Sequence, residues 1–230
     1  MRLWEKNIRQ VVPYVPGEQP AGDKIVKLNT NENPYPPAPG VKKVLEELDT
    51  DRLRKYPDPA ATVLVKELAA YYGLGEDQVF VGVGSDDVLA MSFLTFFNSD
   101  KPVLFPDVTY SFYKVWADLF KVPFETPALK EDFTIDTKDY AKENGGVIFP
   151  NPNAPTGVYM PLDQIEEILI ANQDVVVIVD EAYVDFAGPS ALELLEKYEN
   201  LLVVQTFSKS HSMAGMRIGF AMGHPNLIRA

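Results

Sequence analysis

The sequence predicts an α/β fold: a three-layer α/β/α arrangement around a mostly parallel sheet with one antiparallel strand. Three observations predict it. Apolar runs at 79–83, 102–105, 146–149, 175–179 and 201–206 alternate with amphipathic segments near 86–97, 112–120, 162–172 and 191–198. Several of the runs are nearly unbroken in Val, Ile, Leu and Phe, as strands covered on both faces must be. A last apolar stretch, 217–222, follows the 201–206 run across a link too short for a helical crossover, so it is expected to run antiparallel.

Taken in order, residues 1–40 read as an extended N-terminal arm with turns. Pro13, Pro16, Pro20, Pro34, Pro36, Pro37 and Pro39 fall there, with no sustained period of 2 or 3.6. A helical pattern runs from Val41 to Leu48. After the turn Tyr56-Pro57-Asp58-Pro59, a second helix is expected over 60–72. Residues 41–230 then form one large domain, with no internal repeat, low-complexity tract or obvious linker.

Composition narrows the classes of partner. The 230 residues are 46% hydrophobic and 23% charged, an ordinary globular mixture. A formal net charge of −12 argues against nucleic acid, because phosphate-backbone binding relies on clustered Lys and Arg. With no cysteine there is no disulfide and no thiolate metal site, and no metal-ligand set is expected. The first residues lack the apolar core of a signal peptide, and no run reaches the length of a membrane span, so a cytoplasmic location without membrane contact is expected. No Gly-x-Gly-x-x-Gly opens the first strand–helix turn, which disfavours a dinucleotide-binding dehydrogenase.

The chemistry-bearing residues sit where such folds bind ligands, beyond the carboxyl ends of strands. Asp180 closes the 175–179 run, and Lys209 follows the 201–206 run among Ser208, Ser210, His211 and Ser212, with Arg217 eight positions on. Singly these are ordinary, since Asp after a strand is a frequent N-cap and a loop lysine is usually solvated. Together they supply an amine for an aldehyde, a carboxylate for a protonated ring nitrogen, and hydroxyl and guanidinium groups for a phosphate. That is the set pyridoxal phosphate requires. His211 is read as a neighbour of this group rather than its acid or base. Val83-Gly84-Ser85-Asp86-Asp87 turns a strand into a helix whose N-terminal N–H groups suit the phosphate, although Gly-Ser-Asp is also a good turn and cap. Asn151-Pro152-Asn153-Ala154-Pro155-Thr156-Gly157, after Pro150, forms a proline-stiffened loop whose amide is placed to contact the 3-hydroxyl.

That loop, Asp180-Glu181-Ala182-Tyr183, and the stretch from Ser208-Lys209 to Gly215-Met216-Arg217 occur in an order that closely resembles the fold-type I, class II pyridoxal-phosphate-dependent aminotransferases. Pro13-Tyr14-Val15-Pro16-Gly17, Leu28-Asn29-Thr30-Asn31-Glu32-Asn33-Pro34 and Tyr56-Pro57-Asp58 look like the histidinol-phosphate aminotransferases within them. The resemblance spans essentially the whole chain and implies an aspartate-aminotransferase-like large domain. It makes Lys209 the Schiff-base lysine and proton shuttle, Asp180 the partner of the pyridine nitrogen, and Tyr183 the partner of the 3-hydroxyl. Ser85, Asp86, Ser208 and Arg217 hold the phosphate, and Tyr110 stacks on the ring. Tyr56 reaches the neighbouring subunit's cofactor in a homodimer. Tyr14 and Asn33 on the arm touch substrate or only dock the arm.

The implied reaction is transamination between L-histidinol phosphate and 2-oxoglutarate, giving imidazole-acetol phosphate and glutamate in histidine biosynthesis. Alternatives are an aromatic amino-acid aminotransferase, a threonine-phosphate-decarboxylase-like enzyme, or a catalytically silent ligand-binding relative. Two departures bear on this. Ala154 occupies the position where the family has the Asn that contacts the 3-hydroxyl, leaving Asn153 as its stand-in. The sequence ends at Ala230, whereas the family continues into a small C-terminal domain carrying the arginine for the substrate carboxylate. Residues 41–58 are expected to pack with that domain, and these 230 residues alone to be inactive or severely impaired.

Overall fold

Seven strands form one sheet in the order β1-β7-β6-β5-β4-β2-β3: β1 Val79–Gly82, β2 Val103–Leu104, β3 Phe124–Glu125, β4 Gly146–Pro150, β5 Val177–Asp180, β6 Leu201–Thr206 and β7 Gly219–Gly223. The structure, a computed structural model, describes residues 2–15, 17–18 and 25–230; of the arm's prolines, Pro16 and Pro20 lie outside the described residues. All neighbouring pairs are parallel except those of β7, which runs antiparallel to both β1 and β6. The direction expected from the short link before the last strand is therefore the one found. Arg217 itself lies in a turn at φ +54, so the strand begins two residues later than its apolar pattern.

The helices are α1 Pro39–Glu46, α2 Thr62–Tyr72, α3 Ser85–Phe96, α4 Phe112–Phe120, α5 Leu162–Ala171 and α6 Pro225–Ile228. The turn before α2 works as a cap. Asp58 accepts hydrogen bonds from Ala60 N–H at 3.0 Å and Thr62 N–H at 2.8 Å, occupying donors that the helix's first turn leaves free. Alternation along the central strands divides the core in two. Val147, Phe149, Val177, Val179, Leu201 and Val203 face Leu68 of α2 and Ile165, Ile168 and Leu169 of α5. Ile148, Ile178, Leu202, Val204 and Ala221 face Val88, Leu89 and Phe93 of α3 and Tyr113, Trp116 and Ala117 of α4. Because consecutive side chains point to opposite faces, unbroken apolar runs give the buried, double-sided sheet of a three-layer fold.

Three elements differ from their sequence pattern. β3 is a two-residue edge strand, too short to register as a period. α6, a single turn opened by Pro225 and capped by His224, has no periodic signal either. The amphipathic segment 191–198 forms a 3-10 turn, Ala191–Leu194, rather than a helix. Its first N–H groups are drawn to side chains, Ala191 N to Glu181 Oε1 at 2.6 Å and Leu192 N to Ser190 Oγ at 3.1 Å. Leu195 N–Leu192 O and Lys197 N–Leu194 O bonds then keep the coil tight on its way into β6. Among the described residues no helix is long and apolar enough to cross a membrane, and no cluster of His, Asp or Glu is arranged to hold a metal ion.

Candidate active site

The carboxyl ends of β4, β5 and β6 open, with the N-terminus of α3, onto a cleft with a cavity of about 210 Å³. Ser85, Asp86, Tyr110, Asp180, Tyr183, Ser208, Lys209 and Arg217 all line it, joined by Thr30 and Glu32 from the arm and by Ala154.

At its floor Asp180, the last residue of β5, is buried with both oxygens engaged. Tyr113 donates its hydroxyl hydrogen to Oδ2 at 2.8 Å, and Ala182 N–H donates to Oδ1 at 3.2 Å. Burial pushes this carboxyl up to about 6, outweighing the two donors and the Lys209 ammonium, which pull it down. A cation placed against it would be stabilised by a charge with little water competing. Glu181, on the other face of the sheet, is equally buried. It accepts from Ser190 Oγ at 2.6 Å, Ala191 N at 2.6 Å and Gln205 Nε2 at 2.8 Å, yet desolvation still raises it to about 7.

The amine stands above. Lys209 Nζ donates to Thr30 O at 3.0 Å and lies 5.3 Å from the centre of the Tyr183 ring, whose hydroxyl accepts from Asn31 Nδ2 at 2.9 Å. At the far end Gly84, at φ +91, turns β1 into α3, and the Arg217 guanidinium packs over it so closely that a Cβ there would fall 2.4 Å from Nη2. A Cβ on Gly219 would lie 2.2 Å from Gly84 C and Ser85 N, so β7 approaches the helix start only because residue 219 is glycine. Asp86 accepts from the Tyr110 hydroxyl at 2.7 Å, with Arg217 Nη2 3.8 Å from its other oxygen. Burial and the Asp86 charge raise the Tyr110 phenol far above its usual range, so it remains a donor. Ser208 Oγ sits 2.9 Å from the Thr206 hydroxyl. Helix N–H groups, a hydroxyl and a guanidinium thus surround one space, an arrangement suited to a multiply charged anion. The whole set matches a ligand with an aldehyde, a protonated ring nitrogen and a phosphate.

Asn153, Asn33 and Tyr14 do not line this cleft, and Tyr56 is the residue expected to serve a neighbouring subunit instead. The Asn153 amide is spent on its own loop: Nδ2 donates to Val108 O at 2.9 Å and Thr156 Oγ1 at 3.0 Å, and Oδ1 accepts from Thr109 Oγ1 at 3.1 Å. Its neighbour Ala154 forms the cleft wall. Asn33 docks the arm, its Nδ2 3.3 Å from Lys209 O and 3.2 Å from Ser210 O. Tyr14 packs its ring on Phe112 at 4.6 Å, and Tyr56 is fully exposed away from the cleft. Sequence reasoning missed Tyr113 as a partner within the site and Glu181 as the buried carboxylate on the sheet's other face. The one available signal for Tyr113 was its i+3 spacing from Tyr110 at the start of an expected helix.

Residues 23–230 match the family described as aminotransferase class I and II. The chain is 54% identical over 225 residues to a histidinol-phosphate aminotransferase of Lactococcus lactis subsp. cremoris, covering 98% of this chain and 63% of that protein. It is 55% identical over 229 residues to one of Pseudomonas putida, covering 100% and 66%. The chain thus spans a little under two-thirds of the length of these relatives. Its fold superposes with a TM-score of 0.80 on a histidinol-phosphate aminotransferase from Sinorhizobium meliloti solved in complex with pyridoxal-5'-phosphate, at 25% identity, covering 87% of this chain and 56% of that one. A family match across nearly all of the sequence, on a sheet whose strand ends gather an amine, a buried carboxylate and an anion cradle, makes this chain a member of the aminotransferase class I and II family.

Proposed function

We propose that the whole protein is a pyridoxal-phosphate-dependent histidinol-phosphate aminotransferase, exchanging an amino group between L-histidinol phosphate and 2-oxoglutarate in histidine biosynthesis. The observation that carries the reading is the convergence of Lys209, Asp180 and the Ser85–Arg217 cradle on one cleft. The relatives' names and the 54–55% identity along the chain support histidinol phosphate as the substrate, with 2-oxoglutarate as the proposed amino acceptor.

When bound, the cofactor supplies a ring that accepts electrons as a bond to the substrate α-carbon breaks. Lys209 Nζ would hold the cofactor's aldehyde end and serve as the base and acid for the proton at the substrate α-carbon. Asp180 would accept a hydrogen bond from the ring nitrogen, and Tyr183 would donate one to the 3-oxygen. Ser85 and Asp86 bind the phosphate through backbone N–H groups, alongside Ser208 Oγ and Arg217. The Asp86 carboxylate, of like charge, serves instead to orient Tyr110 and Arg217. The Tyr110 ring covers one face of the pyridine. Asn153 acts on the site by shaping its loop, while Asn33 and Tyr14 hold the arm beside it.

The reading takes residues 41–230 as the cofactor-binding unit and the protein as a cytoplasmic homodimer. Tyr56, exposed like Leu53 and Val63 near it in sequence, is offered to a second copy's phosphate site. The test is an absorbance spectrum with added pyridoxal phosphate, then an assay of the full-length protein. A band bleached by borohydride and missing in Lys209→Ala supports the site, and glutamate formation from histidinol phosphate supports the reaction. No band removes the reading. Glutamate formed only with aromatic amino acids, or carbon dioxide release without transfer, replaces the substrate.

A further inference from the structure

Two tyrosines three residues apart flank the start of α4, Tyr110 just before it and Tyr113 in its first turn, and their hydroxyls go to two of the cleft's carboxylates. Tyr110 serves Asp86 at 2.7 Å and Tyr113 serves Asp180 at 2.8 Å. Tyr113 is wholly buried, with its ring set among Phe93, Phe105, Tyr110 and Trp116 at centroid distances of 5.7–6.5 Å. Its position is therefore fixed by packing rather than by the cleft's contents. Burial and the Asp180 charge hold its phenol well above the usual range, so it acts only as a donor. On Asp180 the hydroxyl occupies Oδ2 and Ala182 N–H occupies one site on Oδ1. Rotation about the side chain would break both bonds.

We propose that Tyr113 is a positioning residue that locks the Asp180 carboxylate and so aims it at a ligand's protonated ring nitrogen. This inference rests on the pyridoxal-phosphate reading of the cleft and adds to it an assignment of the ring-end and phosphate-end carboxylates to separate tyrosines at the entry to α4. A hydrogen bond to a charged group in a dry site is strong, and its loss leaves the carboxylate both less ionised and free to turn. The loss is felt only by a ligand that has a nitrogen at that position.

The experiment compares wild type, Tyr113→Phe and Tyr110→Phe in full-length protein. Dissociation constants are measured for pyridoxal phosphate and for its 1-deaza analogue, whose ring nitrogen is replaced by C–H, alongside melting temperatures. Tyr113→Phe should weaken pyridoxal phosphate by about tenfold while leaving the deaza analogue unchanged. Tyr110→Phe, acting at the phosphate end, should weaken both ligands alike. Equal weakening of both ligands by Tyr113→Phe would show a merely structural tyrosine and overturn the inference, as would no weakening of either. If wild type binds neither ligand, the cofactor reading falls and this inference with it. If wild type binds pyridoxal phosphate and only the selectivity is missing, the inference alone falls.

Discussion

Gly84 and Gly219 show how differently two glycines constrain one site. At Gly84 an added Cβ meets the far end of the Arg217 side chain, which can swing away, so the harm goes to the site rather than to the fold. With φ at +91 as well, Gly84→Ala is expected to cost about 1–3 kcal/mol and to lower affinity for the phosphate group, read by urea melts and ligand titration. At Gly219 the Cβ meets backbone at 2.2 Å, which cannot yield, so Gly219→Ala is expected to lose roughly 3 kcal/mol or more or to fail to fold. Glu181 governs a pH effect. Its folded value near 7 lies above its ordinary 4.5, so the stability it confers is fully present below 4.5 and is lost as pH rises through 7. For a buried group that loss is on the order of 3 kcal/mol. Without added cofactor, the melting temperature should fall as pH rises from about 4.5 to about 7 and level off above that, and Glu181→Gln, which mimics the protonated acid, should flatten the slope. An unchanged slope in the variant would remove Glu181 as its source. Asp180 and Lys209 were legible in the sequence because each follows a recognisable strand end, and Arg217 because it stands eight residues past Lys209. Tyr113 and Glu181 were not, because burial of a polar group and the identity of its partner are facts of packing.

At the scale of elements, the site depends on strand ends and on one strap of the arm. The strands could be read from their apolar runs, and the antiparallel course of β7 from the length of the link before it. β3 has two residues, too few for any period, and 191–198 lost its helix to a competition for its first N–H groups that only the folded neighbourhood reveals. The strap could not be read as structure from a proline-rich arm without a period. Thr30 and Asn31 take left-handed conformations at φ 62 and 52, and Thr30 O, Asn31 Nδ2 and Asn33 Nδ2 reach Lys209 Nζ, Tyr183 Oη and the backbone of Lys209 and Ser210. Asn33→Ala removes two donor contacts at an exposed segment. It should speed proteolysis of the arm while shifting global stability by less than about 1 kcal/mol. A protease pattern identical to wild type would show that Asn33 does not dock the strap.

The chain spans a little under two-thirds of the length of the relatives it matches, and the whole protein's active form is proposed to be paired. If Tyr56 completes a partner's site, full-length Lys209→Ala and Tyr56→Ala proteins, each inactive alone, should regain activity when unfolded together and refolded. Random pairing makes half the dimers hybrid with one intact site each, so about a quarter of wild-type activity is expected. No recovery would place Tyr56 outside the site. All of this depends on the lysine. The most direct measurement is to incubate the protein with pyridoxal phosphate, reduce with borohydride, digest, and locate the phosphopyridoxyl group by peptide mass spectrometry. The expected result is stoichiometric label on Lys209 alone, lost in Asp180→Ala as affinity falls. Label scattered over the exposed lysines, or absent from Lys209, would contradict the cleft as a cofactor site.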